Sequence, residues 1–219
     1  MASNLGHQGV PYTPAKELQF AYGDWVSDKV EQGYQPFFMS FMFHPLTFSL
    51  KAKKIDQMHA DIERIYSRII TRFARRPNSH QERHKLPLML VAPDLPVPKH
   101  TKVELNDVTL NDGLHCHAIF LQPPVSRFRE RFHLWATENN AALIRDTRVR
   151  HMWVGRVFVT PDRMTQYALK AVGTRLSSDS LLLLPRERNG GRDTTARGYD
   201  EACRREGGSS LMRTGWKPF

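Results

Sequence analysis

Three features of this 219-residue chain predict an α+β fold, an antiparallel central sheet flanked by helices. Short apolar runs of strand length are interleaved with longer segments whose apolar residues recur every three to four positions. An Asn-Asp-Gly sequence at 111–113 is a hairpin signal directly before one of those runs. Strands joined by a hairpin and interleaved with helices build an antiparallel sandwich.

Each element has its own signal. Residues 1–35 are polar with scattered aromatics, Phe20, Tyr22, Trp25 and Tyr34. They predict a loosely packed N-terminal extension with a short helix near 24–31. The run from Phe37 to Phe43 is short, apolar and aromatic, which favours a buried strand. Ile55, Met58, Ile62, Ile65, Ile69 and Phe73 form one apolar face of a long helix over 48–75, stopped by Pro77. Strands are expected at 86–91, at 103–105 and at 114–121, the last closed by Pro123 and Pro124. Phe128, Phe132, Trp135 and Leu143 outline an amphipathic helix over 126–145, and 149–159 reads as the next strand. Thr160, Pro161 and Asp162 give a capped helix start, with Gly173 as its C-terminal stop. Beyond Leu184 the chain turns Gly- and Arg-rich. The organisation expected is an extension at 1–35, a folded domain at 36–173 and a basic, flexible tail at 174–219.

Composition narrows the function. With 40% hydrophobic and 10% aromatic residues the chain can bury a core. It has no uninterrupted apolar run of membrane-spanning length and no secretory signal pattern at its start, so no membrane partner is expected. Two cysteines, Cys116 and Cys203, exclude a disulfide framework and a Cys-based zinc module. Lys plus Arg outnumber Asp plus Glu by 32 to 22, a formal charge of +10 that points to a polyanion, nucleic acid first. Over 51–76 eight basic side chains, among them Arg68, Arg72 and Arg75, stand against three acidic ones. They suit a DNA backbone, and equally a solvated helix surface.

The sharpest local motif is His115, Cys116, His117 inside a strand. Side chains alternate along a strand, so the two imidazoles share a face while Cys116 points into the core. Two such imidazoles can close on one divalent ion; they can also be unrelated surface histidines, since the chain has 10. The second motif lies on the capped helix, where Arg163, Tyr167 and Lys170 stand at i, i+4 and i+7 and share one face. A phenol between cations suits attack on a phosphodiester, because positive charge favours the phenolate and can hold phosphate oxygens. The competing reading is an amphipathic tyrosine at the core edge.

Taken in order, an aromatic strand ending in Phe41, Met42, Phe43, His44, Pro45, then the His-x-His strand from Gly113 to Leu121, then Gln166 to Lys170, the chain resembles the HUH endonucleases. The match is to the rolling-circle replication initiators (Rep proteins) and related single-tyrosine transposases, since the tyrosine follows the histidines. The resemblance covers 36–173 and implies an HUH/RRM-like sandwich. It implies an endonuclease and transesterase that nicks and rejoins single-stranded or hairpin DNA, with Tyr167 forming a 5′-phosphotyrosine and Lys170 positioning it or neutralising charge. It implies Mg²⁺ or Mn²⁺ held by His115, His117 and one more ligand, usually an acid on the strand paired with the histidine strand. Asp94 comes first and Glu104 nearly equal, with His44 and Gln122 as outside candidates. Arg163 is expected on the DNA. There is no second tyrosine on that helix and no P-loop, so unwinding is expected from a host enzyme or from DNA structure such as an extruded hairpin, with a host helicase and polymerase as candidate partners. The expected location is the bacterial cytoplasm, or wherever the replicated element resides. Two other readings stay open: a single-stranded nucleic-acid-binding module without chemistry, and a metal phosphoesterase with Tyr167 as bystander.

Overall fold

The computed structural model describes residues 14–95, 110–157 and 160–186, apart from the side chain of Asp112. It is an α+β sandwich around a five-stranded sheet in the order β4-β1-β3-β2-β5. The strands are β1 (Gln35–Phe43), β2 (Leu88–Asp94), β3 (His115–Gln122), β4 (Val149–Arg156) and β5 (Leu182–Leu184). All four pairings are antiparallel. The helices are α1 (Pro14–Glu31), α2 (Lys51–Phe73), α3 (Phe132–Glu138), α4 (Asn140–Ile144) and α5 (Pro161–Ala168).

Strand alternation gives the sheet two different faces. On one, Phe37, Met39, Phe41 and Phe43 of β1, Met89 and Val91 of β2, and Cys116, Ala118 and Phe120 of β3 join the α2 residues Met58, Ile62, Ile65 and Ile69 in the main core. Phe120 and Phe132 stack with ring centroids 4.1 Å apart. On the other face Phe38, Ile119 and Leu121 pack against Val26 of α1 and Ala168 of α5, and Leu90 and Ala92 pack against Leu169 and Val172. The core therefore has helices on both sides of the sheet.

Several expectations are corrected in detail. Residues 14–31 are not a loose extension: α1 is an 18-residue helix that packs along α5, with Val26 fully buried. Its polar composition hid this, because only a narrow stripe faces inward. Gly23 allows the contact, since a Cβ there would lie 3.3 Å from the Asp162 carbonyl oxygen. The helix expected over 126–145 is two short helices with a break at Asn139, whose backbone is not helical (ψ 12°). The strand expected at 86–91 begins at Leu88 and runs to Asp94, taking in Pro93. Residues 111–113 form no two-residue hairpin but part of a 3₁₀ turn, Leu110–Gly113, leading into β3. There Asn111, at φ 55°, accepts from the Leu46 amide and donates to the His44 carbonyl, tying the end of β1 to the start of β3. Thr160 does not cap α5 with its side chain, because its own backbone is left-handed (φ 55°). The folded part continues past 173: Gly173 does stop the α5 region at φ 75°, and β5 then joins the sheet edge beside β2. The strand expected at 103–105, the end of the one expected at 149–159 and the tail beyond 186 lie outside the described residues.

Two outcomes test this packing. Val26→Asp would bury an unpaired carboxylate between α1 and the sheet, and should lower unfolding free energy by on the order of 3 kcal/mol in urea titrations. His59 of α2 is 8% exposed, its Nε2 has no hydrogen-bond partner, and burial with the charge of Arg186 lowers its pKa from 6.5 to about 4 despite Asp56. The unfolded chain then takes up a proton below pH 6.5 that the folded chain resists until about pH 4. Stability present above pH 6.5 is lost across that window, up to on the order of 3 kcal/mol. Urea midpoints at pH 7 and pH 4.5 should differ less in His59→Leu than in the wild type.

Candidate metal and tyrosine site

The site sits on the sheet face covered by α1 and α5. In β2, Leu88, Leu90, Ala92 and Asp94 alternate onto that face, and Asp94 is paired in register with His115. In β3, His115 and His117 share the face while the intervening Cys116 is fully buried in the opposite core, 3.8 Å from the Met58 sulfur. Antiparallel pairing thus brings residues more than twenty positions apart into one cluster. Asp94, His115 and His117 each offer a ligand atom, all within 4.8 Å of one another. The Nε2 atoms of His115 and His117 are 3.3 Å apart, and they lie 3.4 and 3.2 Å from Asp94 Oδ2.

Both imidazoles are held from behind. His115 Nδ1 is 3.0 Å from the Gly113 carbonyl. A carbonyl can only accept, so Nδ1–H of His115 donates to it and Nε2 is the atom left facing the cluster. His117 Nδ1 is 3.0 Å from the Ser40 hydroxyl, which β1 places opposite it in register. Such second contacts fix ring orientation in metal sites. Burial lowers the His117 pKa against the pull of Asp94, favouring the neutral ring a metal needs.

Asp94 is the focus of charge. Its side chain is 1% exposed, and Oδ1 has no hydrogen-bond partner. Burial would raise the carboxyl pKa; the contacts with His115, His117 and Lys170 outweigh it and hold the group well below the usual carboxylate range. Lys170 Nζ lies 2.6 Å from Oδ2. The same ammonium stands 4.1 Å from the centre of the Tyr167 ring. Tyr167 is 47% exposed, and its ring lies 5.6 Å from that of His117 and 5.9 Å from that of Phe38.

Five residues singled out from the sequence are therefore brought together: Asp94, His115, His117, Tyr167 and Lys170. Asp94 Oδ2 beside two imidazole nitrogens, with Oδ1 of the same buried carboxylate unpartnered, is a donor set that fits a divalent ion with open positions for other ligands. Arg163 is exposed one turn before Tyr167 on α5. Arg68, Arg72 and Arg75 are not part of the cluster, for α2 packs on the opposite sheet face. Arg68 donates to the carbonyls of Leu143 and Arg145, and Arg72 pairs with Glu130 at 2.9 Å, so these charges serve internal contacts. Glu104 lies outside the described residues. Gln122 is at the far end of β3, opposite Gln35. His44 is held at the end of β1, where its amide donates to the Arg148 carbonyl. Ser40 and the Gly113 carbonyl were missed from the sequence. The visible signal for Ser40 is a lone hydroxyl inside an apolar strand.

Comparison of the chain with protein-family models, with curated proteins and with solved structures finds no match. No helix among the described residues is long and apolar enough to cross a membrane.

Thermal stability reads the coupling of Lys170 to Asp94. In EDTA, Lys170→Met should cost about 2 to 4 kcal/mol, since it strips the cation from a buried carboxylate. Added Mn²⁺ should raise its melting temperature more than that of the wild type. Asp94→Asn, or His115→Ala with His117→Ala, should abolish the Mn²⁺-induced rise in an otherwise folded protein.

Proposed function

We propose that the chain is a metal-dependent enzyme that nicks and rejoins single-stranded or hairpin DNA through a 5′-phosphotyrosine, the chemistry that initiates rolling-circle replication of a plasmid, phage or mobile element. The observation that carries this reading is the meeting of an accessible tyrosine, one lysine and an Asp-His-His cluster on one sheet face. A tyrosine at a core edge for packing alone has no need of a neighbouring buried carboxylate and two converging imidazoles. The order of the sequence motifs, which resembles that of single-tyrosine HUH initiators, supports the same reading.

In this mechanism the roles divide by chemistry. Asp94, His115 and His117 hold a divalent ion, Mn²⁺ or Mg²⁺, with Ser40 and the Gly113 carbonyl orienting the rings. The mixed nitrogen and oxygen donors suit Mn²⁺ the better of the two. Bound there, the ion would act as a Lewis acid toward the scissile phosphate. The Tyr167 oxygen attacks phosphorus and the P–O3′ bond breaks. The 5′-phosphate remains esterified to Tyr167, and the departing oxygen takes up a proton as a 3′-hydroxyl that can prime synthesis. Lys170, beside both the ring and the carboxylate, offers its charge to the phosphate in the transition state. Reversal by a 3′-hydroxyl rejoins the strand. The basic surplus of the chain draws the DNA in, Arg163 being the nearest exposed cation on α5, and a host helicase and polymerase are candidate partners for unwinding and synthesis.

The test is incubation with single-stranded DNA and Mn²⁺, followed by a denaturing gel. A covalent protein–DNA band is expected, lost to background in Tyr167→Phe and in Asp94→Asn. Cleavage that persists in Tyr167→Phe without a covalent band would instead mark a phosphoesterase. DNA binding without cleavage, unchanged when both His115 and His117 are replaced by alanine, would sink both enzymes and leave a binding module.

A further inference from the structure

The site face continues beyond the metal cluster onto β4, the outer strand beside β1. Trp153 of β4 is paired with Ser40, which is paired in turn with His117. Indole, hydroxyl and imidazole thus lie in one row across the sheet, and Trp153 stands two strand spacings, about 10 Å, from the histidine. It is 52% exposed. Its ring lies 6.3 Å from that of Phe38, which itself touches the rings of His117 and Tyr167 at 5.0 and 5.9 Å. A continuous aromatic surface therefore leads from an open indole to the tyrosine.

The posture of the indole is built in. Gly155, two residues on and on the same face, lies directly beneath it: a Cβ there would fall 2.2 Å from Cη2 and 2.7 Å from Cζ2. Only glycine lets the ring lie down against the strand at this point, with its other face open. The strand also carries Arg150, exposed three residues before Trp153, a cation that suits a phosphate backbone. A large apolar ring held flat against the strand, next to a face that would handle phosphodiesters, matches what stacks an unpaired base.

We infer that Trp153, seated on Gly155, is a stacking shelf for one unpaired nucleobase of single-stranded DNA, close to the phosphate that Tyr167 attacks. The inference rests on the nicking reading for its substrate, but the stacking itself needs neither metal nor Tyr167. Stacking is blind to base identity, so the shelf holds the strand in place and distinguishes unpaired DNA from duplex, whose bases present no free face.

Fluorescence anisotropy in EDTA with fluorescein-labelled oligothymidylate of twelve residues tests it, beside the same backbone with abasic sugars throughout. Trp153→Ala should bind oligothymidylate ~5- to 100-fold more weakly than wild type, Trp153→Phe much less so. Gly155→Ala, which keeps the indole but forces it off its seat, should fall between. The abasic oligomer should bind wild type and Trp153→Ala equally. An unchanged Mn²⁺-induced rise in melting temperature in Trp153→Ala shows that the metal cluster is intact. Trp153→Ala binding oligothymidylate within twofold of wild type, or losing the abasic oligomer by the same factor, overturns the inference. The two readings fail separately: Trp153-dependent binding with no covalent band in the gel assay keeps the shelf and discards nicking, and a covalent band with Trp153-independent binding does the reverse.

Discussion

A carboxylate almost wholly removed from water organises one side of this molecule. Asp94 ends β2 with its side chain 1% exposed, and its charge has to be met where it lies. Lys170 meets it at 2.6 Å, and two imidazole nitrogens stand within 3.4 Å. Lys170 is not on the sheet. It is delivered by the turn after α5, which packs against the sheet through Ala168, Leu169 and Val172, and α5 is itself braced by α1. The close passage of α1 at Gly23 and its contact at Gly173, where a Cβ would lie 2.9 Å from that of Ala15, are thus remote conditions for the ion pair. Residues that look peripheral in the chain support the position of a single ammonium.

The opposite face of the sheet obeys a different rule. There the alternate residues of the same strands, Phe120, Ala118 and Cys116 of β3 among them, enter a dry core with α2. Burial raises the Cys116 thiol well above its usual range, so it stays an uncharged apolar filler behind the two histidines. Much of the charge on α2 is consumed internally: buried Asp61 is met by Arg64 at 3.1 Å and Arg148 at 3.6 Å. Arg68 ties the helix to the carbonyls at the end of α4. A net charge of +10 is therefore a poor guide to where a polyanion would lie. Two of the exposed aromatics, Tyr167 and Trp153, are on the other face, and on the proposed reading they mark the DNA side.

Much of this was legible in the sequence because it depends on periodicity. The apolar positions of α2 and the His-x-His pattern of β3 are set by local geometry and the short aromatic run of β1 by length and composition, and each is found where the sequence puts it. Asp94 was reached differently, through the resemblance, which implies an acid on the strand beside the histidines and left Glu104 nearly equal. What the sequence concealed depends on contact at long range. Val26 looks unremarkable in a polar segment until α5 is beside it. The Asn111 side chain matters through β1, more than sixty residues earlier. The register that pairs Ser40 with both His117 and Trp153 fixes an orienting hydroxyl and an aromatic row, and no local pattern announces it. The arginines of α2 show the converse: composition counts charges but not the partners they already have.

Lys170 gives the cluster a property that a plain Asp-His-His set lacks. Its ammonium stands on Oδ2, the carboxylate oxygen that both histidines face, so a divalent ion held between the two rings and Oδ2, rather than on Oδ1, would compete with it for Asp94. By reciprocity, whatever attracts the lysine elsewhere strengthens the ion's hold, and the ion's arrival loosens the lysine. The nearest alternative for the freed ammonium is the region of the Tyr167 ring, 4.1 Å away, where on the proposed reading the scissile phosphate would lie. A phosphate diester beside Tyr167 would draw Lys170 off Asp94 and so favour metal, while metal would release Lys170 toward phosphate. Metal and DNA would then bind cooperatively through one side chain, with the buried pair serving as the resting state that keeps the carboxylate ionised until both arrive.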